Sequence, residues 1–216
     1  MDAGALVISM FVCGSAYFNG PSSDLLLLMH DDRERATTAI VAGAPDQIGL
    51  KSLYAYPDMD IISSVPYLAS NRLSVFHSNI DYFLYQIAHN ALHKPLPDGM
   101  LLDGEWCAGA FEDIDKVVGR SSSTWNQISG WLLDRGMELT ADGVLFTDEQ
   151  GRLAGIGRML LARPDVDKAM NSKHTQMVVH YIGYVELNTS RGTVIGYAFK
   201  ADRNNLCRFG ERKIGP

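Results

Sequence analysis

The sequence predicts an α+β fold: a mixed or antiparallel sheet with a central group of about three helices. Three observations predict it. Strand-like apolar runs open the chain, a helical period takes over from Asn79, and runs rich in Val, Ile and Tyr return after Val144. The order sheet, helices, sheet does not have the regular alternation of a parallel βαβ array. The 216 residues, 46% of them hydrophobic and 20% charged, suffice for one core. A single domain over 1–216 is therefore expected, with a division into lobes 1–98 and 99–216 as the alternative.

Taken in order, Leu6 to Cys13, Leu25 to Met29 and Thr37 to Val41 read as strands, separated by the Asn19-Gly20-Pro21 turn and the charged stretch Asp31 to Arg35. Leu25 to Leu28 is ambiguous, because leucine favours helices and the run has no β-branching. Ile80, Phe83, Leu84, Ile87 and Ala91 recur at helical spacing, so Asn79 to His93 reads as an amphipathic helix ended by Pro95 and Pro97. Met100 to Leu102 reads as a short strand. Helices are expected from about Glu105 to Val118 and from Thr124 to Arg135, the latter with a Thr124/Gln127 capping-box pattern and a stop at Gly136. Val144 to Thr147 and Leu153 to Ile156 flank the turn signal Asp148-Glu149-Gln150-Gly151. A short helix at Pro164 to Met170 follows, then strands Met177 to Leu187 and Thr193 to Lys200.

A formal charge of −6 argues against nucleic acid as a partner, since phosphate binding rests on Lys and Arg. The basic residues Arg203, Arg208, Arg212 and Lys213 read as a solvated end. Three cysteines without CxxC spacing suggest neither a disulfide framework nor a thiolate zinc site, so the expected compartment is the cytoplasm, or a host cytosol after delivery. The run Ala5 to Val12 lacks a basic flank and is too short to span a bilayer, so no membrane span is expected.

Walker A, Rossmann, GxSxG and Cys/His zinc patterns are not found in the sequence. His89 and His93 stand four apart on a predicted helix, the spacing of two zinc ligands. Asn90 occupies the place where a zincin has its glutamate, and two ligands make half a tetrahedral site. No metal or other cofactor is expected, and this pair is the nearest approach to a metal site. Asp31, Asp32 and Glu34 read as solvent-facing charges. Cys107 at the start of a predicted helix, His180 in a predicted strand and Asp202 after the next strand supply the parts of a nucleophile, a base and an orienting acid. The plainer alternative makes Cys107 a core residue beside Trp106, Phe111, Ile114 and Val118, and makes His180 a sheet residue alternating with Val178 and Ile182.

The blocks Gly104-Glu105-Trp106-Cys107-Ala108-Gly109-Ala110, His180-Tyr181-Ile182-Gly183 and Phe199-Lys200-Ala201-Asp202-Arg203-Asn204 resemble the YopT/AvrPphB-type papain-like cysteine peptidases of bacterial effectors, over the C-terminal half. The resemblance implies Cys107 as nucleophile, His180 as base and Asp202 as orienting acid. It departs from that family in the 73 positions between Cys107 and His180 (180 minus 107) and in lacking a glutamine before the cysteine. Two functions are expected in competition. One is a cysteine hydrolase or acyl-transfer enzyme acting on a protein or amide. The other is a non-catalytic effector, phage-type or interaction module using a protein-binding surface, for which Tyr82, Tyr85 and the Tyr54/Tyr56 pair are candidates. A protein is the expected substrate or partner in either case.

Overall fold

The computed structural model describes residues 23–46, 50, 61–97, 99–102, 106–117, 125–134, 141–162, 178–187, 192–201 and 205–215. The expected α+β order with central helices is overturned. Among the described residues, helices α1 (Ser23–Ala42), α2 (Ile61–Ser70) and α3 (Asn79–Ala91) and one 3₁₀ turn (Ser74–His77) precede eight strands: β1 (Leu101–Leu102), β2 (Cys107–Lys116), β3 (Trp125–Asp134), β4 (Gly143–Thr147), β5 (Leu153–Ala162), β6 (Val178–Glu186), β7 (Gly192–Lys200) and β8 (Asn205–Ile214). Within the stretches expected to be helices at 105–118 and 124–135, the described residues form the long antiparallel strands β2 and β3. The runs Leu25 to Met29 and Thr37 to Val41, expected to be strands, lie within helix α1. This is not the helix-plus-sheet arrangement of a papain-like enzyme. The expected strand at 6–13 and helix at 164–170 lie outside the described residues.

The strand order is β1-β8-β7-β4-β5-β6-β3-β2. Every step from β8 to β2 is antiparallel, and the sheet curls into a nearly closed barrel of these seven strands. Six antiparallel steps leave β2 and β8 pointing the same way, so their seam has to be parallel. Strand β1 makes a parallel ladder with β8, Leu101 to Asn205 and Leu102 to Leu206. Directly beyond it, Cys107 of β2 is disulfide-bonded to Cys207 of β8, the two Cα atoms 6.0 Å apart. Both cysteines are buried. The expectation of unpaired thiols is corrected here: the two partners are 100 residues apart in sequence, a pairing that no local spacing announces.

The barrel interior is filled, with aromatic rings set against glycines. Phe111 packs on Phe209 at a centroid distance of 5.4 Å, and Tyr181 on Phe209 at 5.5 Å. A Cβ on Gly183 would collide with the Phe146 ring, and one on Gly196 with Phe209. The large side chains are accommodated only because these facing positions have none.

The outer face of β4, β5, β6 and β7 carries a second core, in which Leu145, Ile156, Tyr184 and Phe199 meet Ile40, Leu84 and Ile87 of the helices. Strand β4 is buried along its whole length, which explains its uninterrupted Val-Leu-Phe run. Charged groups stitch this helical layer to the sheet. Arg158 of β5 donates to Asp81 of α3 (Nε to Oδ1, 2.6 Å) and also to Glu34 of α1. The acidic stretch read as solvent-facing thus contributes Glu34 to a partly buried ion triad. Asp46, buried after α1, accepts from Arg35 at 2.8 Å and from the Tyr184 hydroxyl of β6. Burial and the neighbouring Asp46 push the Tyr184 phenol far above its ordinary range. Ser78 caps α3 by accepting from the Asp81 N–H at 3.3 Å.

Two outcomes are expected. The Cys107→Ala/Cys207→Ala double variant loses about 3–5 kcal/mol, as a 100-residue cross-link implies. In urea denaturation, reductant then lowers the wild-type midpoint and leaves the double variant unmoved. Replacing Arg158 by Met strands two partly buried carboxylates and costs about 3–5 kcal/mol. The same melts with Glu34→Gln added recover part of that loss.

Candidate functional site

Seen along the barrel, Cys107 and His180 face opposite sides of the sheet. The ladder Ala110 to Trp131 to His180 puts those three residues on the outer face. Cys107, three positions before Ala110 with no bulge between, falls on the inner one. His180 Nε2 stands 3.8 Å from Glu112 Oε2 on that outer face, while the Cys107 sulfur is committed to Cys207. Asp202 lies outside the described residues. The structure therefore brings Cys107 together with Cys207 and His180 with Glu112, not Cys107 with His180.

The histidines of the predicted helix part company as well. Helix α3 ends at Ala91, because Pro95 follows and the carbonyls of the last turn are taken by the Leu92 and Lys94 amides and by the Lys94 ammonium, which donates to Asn90 O at 2.8 Å. His89 is exposed and stacks on Tyr85 at 5.5 Å. His93 sits beyond the helix, so the four-residue spacing no longer aligns the two rings. No cluster of three or more His, Cys, Asp or Glu able to hold a metal ion occurs among the described residues. Tyr82 and Tyr85 are half-buried against the helical core, and Tyr54 and Tyr56 lie outside the described residues.

His93 is nevertheless where the polar groups converge. Its φ is +62°, a left-handed conformation that is sparsely populated by residues other than glycine and costs on the order of 1–3 kcal/mol. Two bonds to the barrel hold it there: His93 N donates to Leu153 O at 2.7 Å, and Leu153 N to Lys94 O at 2.8 Å. The imidazole is thereby delivered to the end of β6, where Nε2 meets Glu186 Oε2 at 2.9 Å. A cavity of about 420 Å³ opens beside this pair, bounded by the β4–β5 turn, the end of β6 and the start of β7.

The turn is the one its sequence predicts. Asp148 Oδ1 accepts from the amides of Gln150 and Arg152, each at 2.9 Å, and Gly151 takes a φ of +75°. Arg152 closes back on the same aspartate, with Nε 2.7 Å from Oδ2, and its Nη2 donates to Gln150 Oε1 at 3.0 Å. Across the mouth, the Thr193 hydroxyl donates to Glu149. Ala154, Leu187 and Gly192 complete the lining. Sequence reasoning singled out His93 for a partner four residues away; its partner is 93 residues on, a pairing carried by the fold alone.

No protein-family model, no curated protein and no solved structure matches this chain.

Alkylation reads out the cysteines directly. In the absence of reductant, iodoacetamide is expected to modify neither Cys107 nor Cys207 in the native or the urea-unfolded chain, and His180→Ala changes nothing. After reduction and unfolding all three cysteines react. A Cys107 alkylated in the native protein, at a rate that falls in His180→Ala, would contradict this arrangement.

Proposed function

We propose that this chain is a non-catalytic binding module, which receives a polar group of its partner in the rim pocket beside His93. The observation that carries this reading is the His93–Glu186 contact at 2.9 Å, maintained by a residue in a left-handed backbone conformation at the mouth of the cavity. Backbone strain that persists is over-determined by its surroundings and clusters where ligands are held. Pockets of about 300–1,000 Å³ with a few convergent polar groups are the usual form of a small-ligand or side-chain site.

The cysteine-hydrolase alternative loses its nucleophile to the disulfide, and its base stands on the other face of the sheet. The disulfide also favours an oxidising compartment over the reducing cytosol expected from unpaired thiols. Among the described residues, no helix is long and apolar enough to cross a membrane.

The test is an amide-resolved NMR screen of the full chain against small amines, carboxylates, amides and polyols. Hits are expected to move the Ala154, Leu187, Gly192 and Thr193 amides, and to lose at least tenfold in affinity in His93→Ala. Hits confined to the His180/Glu112 face would refute the assignment of the pocket.

A further inference from the structure

We propose that the Cys107–Cys207 bond is a redox-controlled clasp: reducing it parts β2 from β8 and opens the barrel along that seam, while the rest of the sheet and the helical layer stay folded. The rim pocket and its occupant play no part in this. The barrel is closed unevenly. Strand β2 pairs with β3 from Cys107 to Lys116, β3 with β6 from Trp125 to Leu133, and β7 with β8 from Gly192 to Lys200, and β4 is paired on both sides. Between β2 and β8 no ladder occurs among the described residues, and the parallel pairing on that side is the two-residue one of β1 with β8. A strand inside a closed barrel is held by two ladders, and β2 and β8 each lack most of one.

Covalent and apolar contacts stand in for the missing bonds. The disulfide fixes the two Cα atoms 6.0 Å apart, and the Cys107 N–H donates to Cys207 Sγ at 3.0 Å rather than to a carbonyl of β8. Farther along, Phe111 packs on Phe209 at 5.4 Å. Beyond that contact both strands carry exposed charged residues, Asp113, Asp115 and Lys116 on β2 and Glu211, Arg212 and Lys213 on β8. One ring contact followed by hydrated charges does not replace a ladder. The helices, by contrast, dock on the outer face of β4 to β7, where Arg158 and Asp46 tie them down, so loss of the clasp leaves an open sheet with its helical layer in place. Cys107 and Cys207 are 5% and 0% exposed; a reductant reaches the sulfurs when the seam parts.

The chemistry is exchange with a dithiol. One thiolate of the dithiol attacks a sulfur of the pair, the Cys107–Cys207 bond breaks, a mixed disulfide forms, and the other cysteine leaves as a thiolate that takes up a proton. The second thiolate of the dithiol then displaces the remaining cysteine and closes into its own disulfide, so the protein pair gains the two electrons that the dithiol loses. A reducing compartment thus holds the chain open, and an oxidising one shuts it.

The test is peptide-resolved hydrogen exchange of the full chain in native buffer, oxidised and after dithiothreitol, with Cys107→Ala/Cys207→Ala as a chain that has no clasp. In the reduced wild type and in the double variant, the amides of β2 and β8 are expected to exchange about tenfold or more faster, while those of α3, β4, β5 and β6 keep the protection of the oxidised chain. Iodoacetamide then modifies Cys107 and Cys207 of the reduced protein without urea. Unchanged exchange in β2 and β8 after reduction would show that the seam closes without the bond. A rise of the same size in every strand would show that the bond holds the whole fold. Either result would overturn the clasp, and so would a bond that dithiothreitol cannot reduce until urea unfolds the chain.

Discussion

An odd number of strands cannot close into a barrel by antiparallel pairing alone, and the rest of this structure answers to that constraint. With six antiparallel steps between β8 and β2, the closing edge is parallel, and parallel neighbours cannot be joined by a tight turn. The chain supplies two substitutes. Strand β1 lays a two-residue parallel ladder along β8, and a few residues later the same segment is bonded through Cys107 to Cys207. The seam is therefore held at one end by hydrogen bonds and a covalent link, and further along by Phe111 and Phe209 against Gly109 and Gly210. A cysteine in this position is a structural fastener, and the more completely it serves as one the less it can act as a nucleophile.

Closure of the barrel settles which strand faces remain available to the helices. The interior is occupied by aromatic rings over glycines, so the helical layer can bury its apolar side only on the outside of β4 to β7. Hydrophobic contact does not by itself choose a register for that docking. Directional groups do: Arg158 reaches both α3 and α1, and Asp46 ties Arg35 of α1 to the hydroxyl of Tyr184 on β6. A buried phenol and a buried carboxylate are costly unless satisfied, and each satisfies the other only when the helix sits in one place.

The elements that sequence reading misses are those in which tertiary structure disguises the period. In β2 the inward residues are Cys107, Gly109 and Phe111, then Ile114 after a bulge. One bulge turns a two-residue alternation into what resembles a three-to-four-residue helical spacing. In β3 the inward position 130 is a glycine, because Tyr181 needs the space. With that position blank, the inward residues Ile128 and Leu132 stand four apart, and Thr124/Gln127 mimics a helix cap. The β-branched Thr37-Thr38-Ala39-Ile40-Val41 run is helical because that turn is enclosed in the core, where burial outweighs propensity. By contrast α3 and the β4–β5 turn are governed by neighbouring residues, namely an apolar stripe, a proline stop and an Asx turn with glycine; the turn forms as read, and α3 forms from Asn79 but ends at Ala91, short of the expected His93. The candidate site divides along the same line. Its turn and its histidine are legible in the sequence, whereas Glu186 and Thr193 join them only through strand order.

The position of that site follows from how the two layers meet. His93 is the first residue past α3 whose backbone bonds to the barrel, and its left-handed conformation is sustained because the reciprocal bonds with Leu153 continue the edge of the β4–β5 hairpin. Relaxing His93 to an ordinary conformation would break those bonds and withdraw the imidazole from Glu186. The helical layer therefore contributes one wall of the pocket and the barrel the others, and a ligand seated there touches both. Any occupant that contacts His93 and the β7 rim together stabilises the joint between layers, so occupancy of the pocket and docking of the helices are thermodynamically coupled even though the barrel's own closure is secured elsewhere, at the Cys107–Cys207 seam.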